Sequence, residues 1–125
     1  MLEIIFGDDS PPIVRKDAVS KRLNGLPSSK GYYEGPAKIV MGLSDIDKLV
    51  QGDVLVIPFT DFSWTPLFAK AGAVISESGG ILSHCSIIAR EYGIPAVVAV
   101  EGAIRIPDNA RIIIDGYTGE IQIIQ

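Results

Sequence analysis

The 125-residue chain has the composition of a folded globular protein, with 47% hydrophobic and 21% charged residues. This apolar content excludes an intrinsically disordered chain, and the length is that of one domain with a substantial core. The formal net charge of −4 argues against a surface that binds nucleic acid or an anionic membrane, because such surfaces depend on clustered Lys and Arg.

The sequence also limits the cellular setting. No apolar run approaches the ~20 residues of a membrane span, and the N-terminus lacks the charged and apolar regions of a signal peptide. We therefore expect a cytoplasmic protein. The only cysteine, Cys85, cannot form an internal disulfide, and one Cys with one His cannot complete a zinc site.

The beginning of the chain differs in character from the rest. Residues 1–25 mix charged residues with two consecutive prolines, and we interpret them as a linker or docking arm. A short helix is predicted there at residues 15–23. Residues 26–125 are predicted to form the folded domain, with a first strand at about residues 37–41.

The remaining elements alternate between apolar strands and short helical patterns. Apolar strands without strict alternation, separated by helices, indicate a layered α/β domain whose strands are covered on both faces. The predicted elements are helical turns at 44–49 and 64–70, strands at 54–57, 73–76 and 96–100, and a C-terminal hairpin with its turn at 115–119.

The stretch GGILSHCSIIAREYGIPAVV contains the only histidine, His84. A helix is predicted over residues 83–92, because Ser83 is a good N-cap, Gly93 can take the left-handed conformation, and Pro95 prevents continuation. His84 then lies in the first turn of this helix.

The chemistry around His84 favours an anion. The first turn of a helix has unpaired N–H groups and carries about half a positive charge. Gly79 and Gly80 allow a ligand to approach closely, and Ser83 and Ser86 supply hydroxyl groups. A mostly neutral imidazole can attack phosphorus without help from a base. The arrangement is therefore typical of a histidine that becomes phosphorylated.

The helix terminus can hold a phosphoryl group but cannot catalyse its transfer. It contributes about 0.3–1 kcal/mol, and at most about 2 kcal/mol, beside a group that carries about −1.5 to −2 charges. Phosphoryl transfer depends on Mg²⁺, Lys or Arg at the developing charge, and the sequence has no P-loop, no metal-binding carboxylate cluster and no Arg cluster. We therefore expect another protein surface to supply the donor and the metal.

The histidine stretch resembles the phosphohistidine swivelling domain of phosphoenolpyruvate-utilising enzymes. Leu82, where many members have Thr, favours the branch of phosphoenolpyruvate synthase and rifampicin phosphotransferase. The resemblance covers about residues 26–125. It includes the glycine turns at 30–36, the GDVLV strand at 52–56, the TDFSWTP segment at 60–66 and the closing DGYTG turn at 115–119.

This resemblance implies an α/β fold with three layers, β/β/α. It also implies that His84 is the phosphocarrier, with Nε2 as the attacking atom, which takes a phosphoryl group at one active site and swings on linkers to another. The residues expected around its phosphate are Gly79, Gly80, Ser83, Ser86 and Thr60.

Two neighbours of His84 are expected to be structural. Cys85 falls on the predicted core face with Ile88, Ala89 and Tyr92, where a buried thiol is more common than a nucleophile. Arg90 lies about 240° round the helix from His84, which favours an anchor over a phosphate ligand.

The resemblance further implies partner domains, in the same chain or in another. These are an ATP-grasp nucleotide-binding domain and a domain that binds phosphoenolpyruvate, pyruvate or another acceptor. We expect no cofactor on this domain and Mg²⁺ on its partners, so that the domain cannot complete a reaction alone. The alternative is a noncatalytic module that uses residues 79–86 to bind an anion or a partner protein.

Overall fold

The computed structural model describes residues 19–58, 65–80 and 83–124, and these residues form a mixed sheet with helices on one side. Short 3₁₀ turns lie at Leu43–Lys48 and Ala103–Arg105. The helices are α1 (Thr65–Phe68) and α2 (His84–Tyr92), and the strands are β1 (Val19–Asn24), β2 (Leu26–Ser29), β3 (Tyr32–Ile39), β4 (Val54–Ile57), β5 (Ala73–Ser76), β6 (Ala96–Val98), β7 (Arg111–Asp115) and β8 (Glu120–Ile124).

Strand β3 joins two halves of the sheet, whose order is β1-β8-β7-β3-β4-β5-β6-β2. Residues 37–39 of β3 pair in parallel with β4, and residues 32–36 pair in antiparallel fashion with β7. Strands β4, β5 and β6 continue the parallel half, while β8 and β1 continue the antiparallel half. The carboxyl ends of the parallel strands therefore lie at one edge.

Two separate hydrophobic clusters define the layers. One cluster contains Val54 and Ile75 of the parallel half together with Ile112 and Ile121 of the antiparallel half, so it lies between the two halves. The other contains Leu55 and Val74 together with side chains of α1 and α2, so it lies between the parallel half and the helices. The predicted three-layer β/β/α architecture is confirmed.

The central strands are apolar because both of their faces are covered. Every residue of β4 and β5 is buried. A strand between two layers needs an apolar side chain at each position, which removes the alternation of a half-exposed strand. The predicted bounds of these two strands and of the C-terminal hairpin are confirmed.

Strand β1 replaces the helix predicted at residues 15–23, and that prediction is wrong for the described part. Val19 to Asn24 pairs with β8, opposite Ile124 to Glu120. Pairing with an apolar strand overrides the weak local preference for a helix. Residues 1–18 of the predicted arm lie outside the described residues, and the domain boundary at residue 26 stays a prediction.

Strand β3 begins at Tyr32, five residues earlier than predicted, and it runs through Gly35 and Pro36. The N–H of Ala37 donates to Ala110 on the β7 side at 2.9 Å, so the nitrogen of Pro36 faces the opposite side. Pairing with β4 starts only at Ala37 on that side. The proline therefore removes no bond of the ladder.

The closing turn packs its second glycine against the backbone of the segment between β1 and β2. Gly119 has φ of 87° and its carbonyl accepts the N–H of Gly25 at 2.9 Å. A Cβ on Gly119 would lie 2.2 Å from the carbonyl oxygen of Gly25. Only glycine suits this position, since a side chain meets both a strained φ and fixed backbone.

We expect Gly119→Ala to lower the free energy of unfolding by about 2–4 kcal/mol, from the positive φ and the forced backbone shift. Urea unfolding followed by circular dichroism measures this change. The control is Gly42→Ala, since Gly42 has extended backbone and nothing within 4 Å of its Cβ position. The control should change stability by less than about 0.5 kcal/mol. Equal effects of the two substitutions would contradict this account.

Candidate functional site

Helix α2 begins and ends as its sequence predicts. Ser83 is the N-cap, and its side chain accepts a hydrogen bond from the N–H of Ser86 at 3.4 Å. Gly93 has φ of 70°, and its N–H reaches the carbonyls of Ala89 and Arg90. The predicted helix and both of its caps are confirmed.

The loop before α2 is fixed by the first turn of the helix. The carbonyl of Gly80 accepts the N–H of Ser83 at 3.0 Å and the hydroxyl of Ser86 at 2.7 Å. Gly79 has φ of 111°, and a Cβ there would lie 3.1 Å from Oγ of Ser83. Among the described residues, no atom outside the chain neighbours of Gly80 lies within 4 Å of its Cβ position. Gly79 and Gly80 are therefore held in place by the first turn of α2.

His84 lies in the first turn of α2, half-buried. Its Nε2 is 3.4 Å from Oγ1 of Thr65, the first residue of α1. A hydroxyl that donates to Nε2 selects the neutral tautomer with its proton on Nδ1, and an Nε2–H that donates selects the other. The contact is near the long limit for a hydrogen bond, so it orients the ring without holding Nε2 tightly.

Thr65 is the site residue that the sequence did not reveal. It belongs to the TDFSWTP segment, but the expected residue from that segment was Thr60. A separation of 19 residues gives no local periodicity that would pair Thr65 with His84. Thr60 and Leu82 lie outside the described residues, so the role of Thr60 stays a prediction.

Ser86 is fully buried, and its hydroxyl is directed to Gly80 and to Ser83, whose Oγ is 3.3 Å away. Its role beside a phosphate stays a prediction. Arg90 donates from Nε to the carbonyl of Ser28 in β2 at 2.8 Å, which is the contact of a structural anchor. The side chain predicted to anchor α2 therefore ties the helix to an edge strand of the sheet.

The buried face of α2 is rotated about the helix axis, towards Ser86, relative to the predicted core face. Cys85 and Ala89 are buried as predicted, but Tyr92 is 46% exposed. At 100° per residue, the arc from Cys85 through Ala89 to Ser86 is centred about 70° away from Tyr92. Tyr92 therefore lies at the margin of the core, and the prediction that it belongs to the core face is wrong.

Within the described ranges, no three or more His, Cys, Asp or Glu side chains are grouped so that they could hold a metal ion. Among the same residues, no helix is long and apolar enough to cross a membrane.

The comparisons with known sequences agree on one family. A family model described as the mobile domain of PEP-utilising enzymes matches residues 49–119. The rifampicin phosphotransferase of Bacillus subtilis (strain 168) is 46% identical over 122 residues, which cover 97% of this chain. They cover 14% of that protein, so this chain spans about one seventh of the length of its relative.

The comparisons with solved structures show the fold alone. The holo-form of Thermococcus kodakaraensis aconitase X has a TM-score of 0.64 and 16% identity, and the match covers 85% of this chain and 100% of that chain. A solution structure of Enzyme I (nEIt) has a TM-score of 0.54 and 24% identity, covering 63% and 33%. Proteins with different names share this fold, so function must be argued from the site.

Cys85 should be chemically inert in the folded protein. Burial raises the pKa of its thiol to about 12, and only the thiolate reacts readily. At pH 8 we expect iodoacetamide to leave the native protein unmodified and to alkylate the denatured protein fully, as measured by intact mass spectrometry. Rapid alkylation of the native protein would contradict the burial of Cys85.

The same pKa gives a pH dependence of stability. The pKa of the thiol is about 9.0 in the unfolded chain, whereas burial raises the pKa of the folded Cys85 thiol to about 12. The unfolded state therefore binds fewer protons between these values, and the Cys85 contribution to the free energy of unfolding falls as pH rises through that window. Cys85→Ala should lack this part of the pH dependence.

Proposed function

The chain belongs to the family of PEP-utilising enzyme mobile domains, and we propose that it is a phosphocarrier domain whose His84 carries the phosphoryl group. The observation that carries the proposal is the position of His84 in the first turn of a capped helix, with Nε2 beside the hydroxyl of Thr65. No other histidine is present in the sequence.

The electrostatics of the site suit a carrier. The N-terminal N–H groups of α2 lower the free energy of a nearby phosphoryl anion by about 0.3–1 kcal/mol, and at most about 2 kcal/mol. A carrier needs modest stabilisation, because a group held too tightly is not passed on. Gly79, Gly80 and Ser83 form the loop beside the phosphoryl group, and Thr65 orients the imidazole.

The proposed reaction consists of two displacements at phosphorus. Nε2 of neutral His84 forms a bond to the phosphorus of the donor while the bond from that phosphorus to the leaving oxygen breaks. In the second displacement, an oxygen of the acceptor bonds to the same phosphorus and the N–P bond breaks. The proton of the acceptor passes to a base on the partner domain, and the imidazole returns to its neutral form.

Partner domains supply what the described residues lack. We propose an ATP-grasp domain as the donor site, with Mg²⁺ bound there to stabilise the developing charge, and a second domain that binds the acceptor. Phosphoenolpyruvate replaces ATP as donor when the flux is reversed. The name of the B. subtilis relative makes rifampicin the first acceptor to test, with pyruvate as the second. We propose a cytoplasmic location, because ATP and phosphoenolpyruvate are available there.

A noncatalytic binding module on the same fold is the alternative. The match to aconitase X shows that the fold occurs under a different name, so the fold alone does not decide between the two functions. Such a module would bind an anion or a partner reversibly at residues 79–86 and form no covalent product.

Intact mass spectrometry at neutral to alkaline pH tests the proposal. The chain is grafted in place of the matched segment of the B. subtilis rifampicin phosphotransferase and incubated with ATP and Mg²⁺, or with phosphoenolpyruvate and Mg²⁺. We expect a gain of one phosphoryl group that maps to His84 and is lost in acid, because a phosphoramidate bond hydrolyses when its nitrogen is protonated.

The control is His84→Ala in the same graft. It should lose the phosphoryl gain and the phosphorylation of rifampicin by at least 10³-fold, because a covalent intermediate cannot form. Its circular dichroism spectrum should match that of the parent, since His84 is only half-buried. Reversible binding of phosphate without a covalent product would favour the binding module, and unfolding of His84→Ala would indicate a structural histidine.

A further inference from the structure

A cavity lies where the C-terminal end of α2 meets strand β2, away from His84. Its volume is about 430 Å³, and the described residues that line it are Ser28, Ser29, Lys30, Arg90 and Gly93. No carboxylate is among these residues. Sites for small molecules have volumes of about 300–1,000 Å³. The cavity is therefore large enough for a small organic ligand.

Two cationic side chains line this cavity. Arg90 donates from Nε to the carbonyl of Ser28 at 2.8 Å, which holds its guanidinium beside β2. Lys30 forms no ion pair within the described ranges. Two cations without a carboxylate between them create a local positive potential, although the whole chain has a net charge of −4. The charge of the cavity therefore favours an anion.

Ser28 contributes a hydroxyl group that needs a partner. Its side chain is buried, with 6% of the residue exposed, and Oγ has no hydrogen-bond partner among the described residues. Buried polar groups in native proteins are paired with few exceptions, because leaving one unpaired is costly. A serine hydroxyl can rotate to suit its partner. An anion in the cavity would supply the acceptor that Ser28 lacks.

The local structure of β2 explains why this hydroxyl is not already paired. In the register of β2 with β6, Pro27 is opposite Val97 and Ser29 is opposite Ala96, so Ser28 is the extra residue of a β-bulge. A bulge bends its strand and changes the direction of the side chain. Ser28 is therefore placed by the bulge and has no register partner on β6.

The negative end of the helix dipole does not cancel this positive charge. The C-terminus of α2 carries about half a negative charge. The carbonyls of Ala89 and Arg90 are the acceptors nearest this end, and both accept the N–H of Gly93. Two formal positive charges exceed the dipole charge, so the cavity remains cationic.

We infer that this cavity binds the phosphate group of a small organic phosphate monoester. Such a group carries about −1.5 to −2 charges, which match the two cations, whereas a carboxylate carries one. Lys30 and Ser28 donate hydrogen bonds to the phosphate oxygens, and Arg90 supplies positive charge. The remaining volume of the cavity holds the organic part of the ligand.

This site is separate from the carrier histidine. Arg90 lies six residues after His84, which places it about 9 Å further along the helix axis and about 240° round the helix. A phosphoryl group on His84 and a ligand beside Arg90 therefore occupy different places. The inference does not depend on the phosphocarrier proposal.

Titration of the ¹⁵N-labelled chain followed by NMR tests the inference. The probes are glycerol phosphate, inorganic phosphate and acetate, at fixed ionic strength and about pH 7.5, where the phosphate groups are mostly dianionic. The amide signals of Ser28, Lys30 and Gly93 should shift saturably and give a Kd. We expect glycerol phosphate to bind about threefold more tightly than inorganic phosphate and about tenfold more tightly than acetate.

Two substitutions identify the groups that bind the phosphate. Lys30→Gln should weaken glycerol phosphate binding about fivefold, because one cation is removed. Ser28→Ala should weaken it about threefold without lowering the thermal midpoint of the free protein, because the hydroxyl has no partner to lose. A purely structural serine would show the opposite pattern, with a lower midpoint and unchanged affinity.

The matched control is Lys21→Gln. Lys21, like Lys30, is an exposed lysine beside a cavity, but its cavity is a different one of about 540 Å³, which Arg105 also lines. A general effect of lost positive charge would appear in both variants. Lys21→Gln and His84→Ala should both keep the affinity of the parent chain.

Four results would overturn the inference. The absence of saturable shifts with glycerol phosphate would refute binding. Weaker binding in Lys21→Gln with unchanged binding in Lys30→Gln would place the anion in the other cavity, and lost binding in His84→Ala would place it at the carrier histidine. Equal affinity for inorganic phosphate and glycerol phosphate would show that the organic part makes no contact, which refutes a monoester site.

Discussion

The fold depends on the shared position of β3. One stretch of this strand is bonded to β7 in the antiparallel half, and the next is bonded to β4 in the parallel half. The chain also reaches both cores here, since Ala37 and Ile39 of β3 lie in the cluster between the halves and Val40, the residue after β3, lies in the cluster under the helices. The two halves of the sheet therefore cannot separate without breaking the backbone hydrogen bonds of β3. The helices pack on a sheet that is fixed in position.

Helix α2 is attached to the rest of the domain along one side and near both ends. Cys85 and Ala89 pack against the sheet, Ser86 holds the loop at the start, and Arg90 holds β2 near the end. On the opposite side, His84 lies beside Thr65 of α1, while Ile87 and Glu91 are exposed. This arrangement suits the proposed phosphocarrier role, in which His84 is positioned by its own domain while the proposed partner domain approaches from outside.

Features determined by neighbouring residues could be predicted from the sequence. The caps of α2 depend on the local chemistry of Ser83 and Gly93, and β4 and β5 are identified by uninterrupted apolar runs. Features determined by distant pairing could not. Strand β1 exists because β8 is beside it, and Pro36 is tolerated in β3 because pairing with β4 begins only at Ala37. The contact of Thr65 with His84 likewise depends on the packing of α1 against α2, which has no signature in spacing.

The pairing of β1 with β8 has a consequence for protein architecture. Val19 and Ile124 are register partners, so the path of the chain enters and leaves the described fold at neighbouring points. A unit with this geometry can be inserted between other domains without stretching either connection, and neither connection has to cross its surface. A module of this geometry suits a longer chain, and the matched segment covers 97% of this chain and 14% of its relative.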